Sequence, residues 1–219
     1  MHHEPEREIV VRGTGEARTL PDLAILQIAA TADDASAEGA QRRRGEIVAA
    51  VDAVLDEHAE AIARVLPAAV SVQPRTRWHK GQDVRTGWRA SRYTQVEVTG
   101  LDAVGRIMAG VAAAGAAVTG PRWSLQPDNP AHEAARVAAA EDARRRGESY
   151  ARALGLTLGP VAWVAEPGLR SPGPDYAMGV ASPRLQFAAA GGAAEEPVEE
   201  VTPAELTVDA AVEVAFAIV

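Results

Sequence analysis

The chain has 219 residues, of which 47% are hydrophobic and 24% charged, as in one soluble globular domain. It contains 0 cysteines, which excludes disulfide frameworks, thiolate zinc sites and a cysteine nucleophile. Its net charge of −8 argues against a general nucleic-acid-binding protein.

The first predicted elements are two strands followed by a long helix. Apolar runs on both sides of residues 18–22 indicate two strands joined there. Asp33 and Asp34 can act as N-cap residues, and apolar side chains then recur at helical spacing. We therefore predict a helix from about residue 35 to residue 58.

A hairpin is predicted in the centre of the chain. Residues 59–66 are compatible either with a continued helix or with a separate turn, and Pro67 is expected to end this segment. Residues 70–79 and 85–99 are rich in β-forming side chains and flank a polar, glycine-containing turn at 80–83. We expect these two strands to pair.

Two further helices are predicted in the second half. Residues 101–114 have one apolar stripe, and Gly115 suits the end of this helix because glycine accepts a positive φ. A strand at 118–126 follows. Asn129-Pro130 then begins a long Ala-rich helix, since the missing N–H of proline costs nothing at the first helical position. Gly155 is expected to end it.

The C-terminal end of the chain predicts a strand, a long loop and a final strand. The strand covers residues 161–166, and residues 168–203 are rich in Gly, Ala, Pro and Glu without periodicity, which indicates a long, partly mobile loop. The final strand has apolar side chains at alternate positions: Leu206, Val208, Ala210, Val212, Val214, Phe216 and Ile218.

These elements predict an α+β fold with a largely antiparallel sheet and helices packed on one face. We expect one domain over residues 1–219, with a flexible N-terminus at 1–7. The polar start resembles no signal peptide, and no apolar run reaches the length of a membrane span. We therefore expect a cytoplasmic protein without a membrane partner.

Several short motifs follow one another in a recognisable order. They are Gly13-x-Gly15, Pro21-Asp22-x-Ala24, Trp88-Arg89-Ala90, Leu101-Asp102, the series Ala134, Ala138, Ala143 and Ala151, then Leu154-Gly155, Leu158-Gly159, Val161, Glu166 and finally Pro203 to Phe216. This order resembles the SIMPL-domain family over nearly the whole chain, from about Ile9 to Val219. The family usually begins its last strand with Pro-Gly, whereas this chain has Pro203-Ala204.

The resemblance implies a helix-backed antiparallel sheet and provides no catalytic residues. Some bacterial members of the family are periplasmic or outer-membrane proteins that assemble into rings, and some are associated with oxidative-stress defence. A mammalian member binds a kinase of inflammatory signalling. The resemblance therefore implies a non-enzymatic, homo-oligomeric assembly or interaction protein that is linked to the stress response.

No motif in the chain predicts an enzyme, a cofactor or a metal site. Gly13-Thr14-Gly15 lacks the third glycine of a dinucleotide loop, so we interpret it as a β-bulge or a close backbone contact. His132-Glu133 resembles the start of a zinc-protease motif, but Arg136 stands where the second histidine would be. We interpret these residues as part of a helix surface.

The predicted hairpin at residues 70–99 carries the most distinctive side chains. Basic and aromatic residues alternate there, and the candidate interaction surface consists of Arg75, Arg77, Trp78, Trp88, Arg89, Arg92 and Tyr93. Such residues favour a protein interface, with self-association as our first hypothesis. A solvated strand face and binding of a small ligand or a single-stranded nucleic acid are the alternatives. The acidic net charge disfavours nucleic acid.

Overall fold

The computed structural model of the chain describes residues 7–79, 81–170 and 202–219. In chain order the helices and strands are β1 (Glu8–Thr19), β2 (Leu23–Asp34), α1 (Ala37–Glu57), β3 (Ile62–His79), β4 (Gln82–Val98), α2 (Val104–Ala113), β5 (Ala117–Ser124), α3 (Pro130–Ala153), β6 (Leu158–Ala165) and β7 (Leu206–Ile218). The predicted α+β class is confirmed.

The described strands form two antiparallel sheets, each in its own compact unit. One unit comprises residues 7–20, 127–170 and 205–219, and the other comprises residues 21–126, except residue 80, with residues 202–204. The expectation of one domain over the whole chain stays a prediction. The predicted flexible N-terminus and the predicted loop lie largely outside the described residues.

The first unit contains a three-stranded sheet in the order β1-β7-β6. The final strand β7 is its central strand and pairs with β1 from Leu206 to Ala217. Val214 and Phe216 are buried, as the alternating pattern predicts. Consecutive strands β1 and β2 lie in different sheets, so the two strands predicted around residues 18–22 do not pair with each other.

Helix α3 packs on β1 at unusually close range. The buried face of α3 repeats a small residue at every fourth position: Ala131, Ala135, Ala139, Ala143, Gly147 and Ala151. A Cβ atom added to Gly13 would lie 2.0 Å from the carbonyl oxygen of Ala139, and one added to Gly15 would lie 2.2 Å from that of Ala135. The register between β1 and β7 has no shift at these glycines. The close backbone contact is therefore confirmed, and there is no β-bulge here.

A carboxylate of α3 also binds the backbone of β1. The backbone N–H of Thr14 donates to Oδ2 of Asp142 at 3.0 Å. Arg146 Nε and Arg145 Nη2 donate to the same carboxylate at 2.7 and 3.0 Å. The Thr14 hydrogen bond, followed by Arg146 and Arg145, holds the pKa of Asp142 below its ordinary value. The ionised carboxylate thus joins the helix to the sheet.

The second unit contains a four-stranded antiparallel sheet in the order β3-β4-β2-β5, with α1 and α2 on one face. Its core contains Leu26 and Ile28 of β2, Val96 and Val98 of β4, and Ile107 of α2, all nearly inaccessible to solvent. The cluster is completed by other buried residues of both helices. The helices therefore cover the centre of this sheet.

The start of α1 differs from the prediction. Ser36 is the N-cap residue, since its hydroxyl accepts a hydrogen bond from the N–H of Gly39 at 3.0 Å. Asp33 and Asp34, the predicted N-cap residues, are the last residues of β2. Asp34 instead accepts a hydrogen bond from the N–H of Ser36 at 3.0 Å, so it orders the chain just before the helix.

The largest difference between the predicted and the observed elements is the position at which β3 begins. After α1, residues 59–61 form one 3₁₀ turn and β3 begins at Ile62, not at residue 70. Pro67 lies within β3, at a shift of its register with β4, and does not end the segment. Proline is tolerated here because β3 is an edge strand, where an N–H directed away from the sheet has no strand to bind.

The remaining elements agree with the prediction to within a few residues. Gly115 has a φ of +85° after α2, and Asn129 caps α3 by accepting a hydrogen bond from Ala131. Pro130 is the first residue of α3. β6 begins at Leu158, three residues earlier than predicted.

Candidate interaction surface on the β3–β4 hairpin

The β3–β4 hairpin extends beyond the rest of its sheet. The pairing of β2 with β4 ends at Asp34 and Trp88, whereas β3 and β4 stay paired as far as His79 and Gln82. Residues 75–79 and 82–87 therefore form a two-stranded arm, beside which the described residues place no third strand. At about 3.3 Å per residue, this arm is about 20 Å long.

The arm exposes one large aromatic side chain and two arginines. Trp78 is 68% exposed, and Val84 on the opposite strand is also exposed. Arg77 and Arg85 are exposed, and neither forms an ion pair within the described part of the chain. The Arg85 guanidinium lies 5.7 Å from the ring centre of Trp88. These side chains are available to a partner.

Arg75 and Arg89 converge on one carboxylate at the base of the arm. Arg89 Nε and Nη2 donate to Asp33 Oδ1 and Oδ2 at 2.8 and 2.9 Å, and Arg75 Nη1 lies 2.7 Å from Asp33 Oδ2. The hydrogen bonds from Arg89, with the charge of Arg75, hold the pKa of Asp33 below its ordinary value. These two ion pairs join β2 to both strands of the hairpin. Arg75 and Arg89 are therefore less available to a partner than Arg77 and Arg85.

The other predicted surface residues lie on different faces of the sheet. Arg92 lies on the same face of β4 as Val96 and Val98, which belong to the core beneath the helices. Its side chain is half-buried. Tyr93 points to the opposite face and is 46% exposed. The candidate residues thus do not form one continuous surface. Arg75, Arg77 and Trp78 lie on the arm, Trp88 and Arg89 lie at its base, and Arg92 and Tyr93 lie at two separate sheet positions.

The edge strand β3 also carries an apolar stripe that the sequence analysis did not identify. Val65, Val70 and Val72 pair with Val96, Arg92 and Ala90 of β4, so they share the face that carries the helices. Val65 and Val70 nevertheless remain exposed. The stripe could have been recognised from alternate apolar residues in 65–74, but only with the knowledge that β3 is an edge strand.

In the part of the chain that the structure describes, neither enzyme-like motif has the surroundings that its chemistry needs. Gly13 and Gly15 contact the backbone of α3, which leaves no space for a phosphate group. Within residues 7–79, 81–170 and 202–219, no three His, Asp or Glu side chains are grouped to hold a metal ion. In the same residues, every helix is too short or too polar to cross a membrane.

In a comparison with protein families, residues 9–216 match the family described as "SIMPL: Protein of unknown function (DUF541)". The chain belongs to the SIMPL family. This membership confirms the resemblance of its ordered motifs. Relatives similar to this chain are "Uncharacterized protein YggE" of Escherichia coli K12, of Escherichia coli O157:H7 and of Shigella flexneri. Each is 26% identical over 154 residues, which is 70% of this chain and 63% of the relative, so the match spans slightly less than two thirds of those proteins.

Proposed function

We propose that this SIMPL protein is a non-enzymatic, cytoplasmic interaction protein that self-associates through its β3–β4 arm and contributes to stress defence. The observation that carries the self-association is Trp78, which is 68% exposed on a two-stranded extension of the sheet. Arg77 and Arg85 flank it without ion-pair partners in the described residues. Trp and Arg are the side chains that contribute most often to protein interfaces.

Charge favours another copy of the chain as the partner. Residues 75–92 contain six basic residues and one acidic residue, in a chain whose net charge is −8. The rest of each copy is therefore strongly acidic and complements the basic arm of its neighbour. Such complementarity increases the association rate and disfavours wrong partners.

Side chains, rather than an added strand, should make this contact. The outer edge of β3 contains Pro67 and Pro74, which have no N–H to donate to a new strand. The register of β3 with β4 also shifts near Pro67 and after Arg75. Prolines and irregularities of this kind protect an edge strand from continuous pairing with another chain.

Single-stranded nucleic acid is the second candidate partner. Tyr93 is exposed on the sheet face opposite the helices, four residues from Arg89 on the same face of β4. The aromatic ring can stack with a base while the guanidinium binds a phosphate further along the same nucleic-acid strand. Retention of a labelled single-stranded oligonucleotide that weakens steeply with salt would favour this candidate.

Sedimentation velocity over a dilution series tests the proposal. The double variant Arg77→Ala and Trp78→Ala removes two side chains that make no ion pair in the described residues, so the fold should be retained. We expect its dissociation constant to rise roughly tenfold or more, since an interface anchor contributes about 2 kcal/mol. The matched control, Arg42→Ala with Tyr150→Ala, removes an exposed arginine and an exposed aromatic ring elsewhere. Equal self-association of the arm variant and the original chain would refute the role of the arm.

A further inference from the structure

Helix α3 carries a shallow, open groove on the side away from its alanine stripe. The groove has a volume of about 440 Å³ and is lined by Pro130, Glu133, Ala134, Val137, Ala138 and Glu141. Val137 is 50% exposed at its centre. The lining is therefore apolar in the middle, with one carboxylate towards each end.

The two carboxylates of the groove are available for a basic partner. Glu133 and Glu141 are exposed, and neither forms an ion pair among the described residues. The neighbouring residue Asp142, by contrast, is occupied by Thr14, Arg145 and Arg146. No basic side chain lines the groove as the structure describes it. An apolar centre between two free negative charges suits an aromatic group flanked by cations.

We propose that the arm of one copy docks into the α3 groove of a second copy. This inference rests on the proposed self-association and names the surface that receives the arm. Trp78 would cover Val137 and the adjacent alanines, while Arg77 and Arg85 bind Glu133 and Glu141. Burial of one tryptophan removes about 150–250 Å² from water, which makes it the main apolar anchor of the contact.

The dimensions of the two surfaces agree. Glu133 and Glu141 are eight residues apart on α3, which corresponds to about 12 Å at 1.5 Å per residue. Arg77 pairs with Val84 and Arg85 pairs with Thr76, so the two arginines leave opposite strands and opposite faces of the arm. Their long side chains therefore diverge and can reach two carboxylates at this separation, while Trp78 shares the face of Arg85. Asp83 is the single acidic residue of the arm.

The contact joins two different surfaces, so each copy offers both an arm and a groove. Such a contact either closes as a two-fold dimer, in which each arm enters the groove of the other copy, or adds copies head to tail into a ring or a filament. A contact between two arms would instead use the same residues on both copies and would not involve the groove. The two arrangements therefore respond differently when variants are mixed.

Charge reversal on each surface tests the inference. The arm variant carries Arg77→Glu and Arg85→Glu, and the groove variant carries Glu133→Lys and Glu141→Lys. The control variant, Glu38→Lys with Glu46→Lys, changes two exposed carboxylates of α1 at the same spacing, again beginning in the first turn of a helix. Circular dichroism of each protein verifies the fold, and sedimentation velocity gives the self-association.

We expect the arm variant and the groove variant each to associate roughly tenfold or more weakly than the original chain, because like charges then face each other. An equimolar mixture should regain association, since every acidic surface again meets a basic one. The control should associate like the original chain. A groove variant that associates normally would overturn the docking site yet leave the arm proposal intact. Loss in both variants without recovery on mixing would also overturn it, whereas an unaffected arm variant would refute the proposed function itself.

Discussion

Replacing Gly13 with alanine should strongly destabilise the three-stranded unit. The new Cβ atom would lie 2.0 Å from the carbonyl oxygen of Ala139, 2.5 Å from the backbone nitrogen of Ala143 and 2.7 Å from its Cβ. Ordinary contacts of this kind need more than 3 Å, so α3 must move away from β1 by about 1 Å. The obstructing atoms belong mainly to the backbone of α3, so no rotation of a flexible side chain can relieve the overlap. The shift also lengthens the hydrogen bond between Thr14 and Asp142.

We expect Gly13→Ala to lower the free energy of unfolding by about 3 kcal/mol, the upper part of the range for overpacked sites. Urea unfolding followed by circular dichroism measures this difference. The control is Gly45→Ala in α1, where an added Cβ meets no atom within 4 Å. Alanine should stabilise that helix by about 0.5–1 kcal/mol. Equal stability of Gly13→Ala and the original chain would refute the close packing of α3 on β1.

Two further changes test the same unit. Phe216 is 5% exposed in β7 and packs with Val11 and Val214. Phe216→Ala should therefore lower the free energy of unfolding by about 3–5 kcal/mol, measured by urea unfolding. An unchanged midpoint would contradict the role of Phe216 in the core. Asp142→Asn tests the lowered pKa of this carboxyl. A folded pKa below the unfolded value of about 3.9 stabilises the fold above that pH, and the benefit is lost as the pH falls through the lowered pKa. The stability difference between the two proteins should therefore be present at neutral pH and disappear in strong acid, and a difference independent of pH would contradict this linkage.

Local patterns predicted most elements but not their partners. The alternation in β7 and the Asn129-Pro130 start of α3 depend on side chains close in sequence, and both predictions agree with the structure. The division of β1 and β2 between two sheets depends on strands that are distant in sequence. β1 pairs with β7, more than 100 residues away, as Gly13 does with Val212. A period of two identifies a strand but contains no information on which strand lies beside it.

For the candidate surface too, the sequence predicted what depends on neighbouring residues and missed what depends on residues distant in the chain. The sequence located the basic, aromatic hairpin, and the structure adds that part of it extends beyond the sheet. Asp33 was missed as the partner of Arg89 and Arg75 because it lies 56 residues before Arg89 and looked like an N-cap residue. The acidic groove of α3 was also missed, since the sequence predicted an Ala-rich helix there without showing that Ala135 and Ala139 form its buried face.

The mass of the unmodified chain in solution tests the central claim of self-association most directly. Sedimentation of the protein over a dilution series at low and high salt gives this mass without any substitution. We expect species heavier than the 22.9 kDa monomer at micromolar concentration, which dissociate on dilution and more readily at high salt because basic arms meet acidic surfaces. A mass of 22.9 kDa at every concentration and salt would contradict the account.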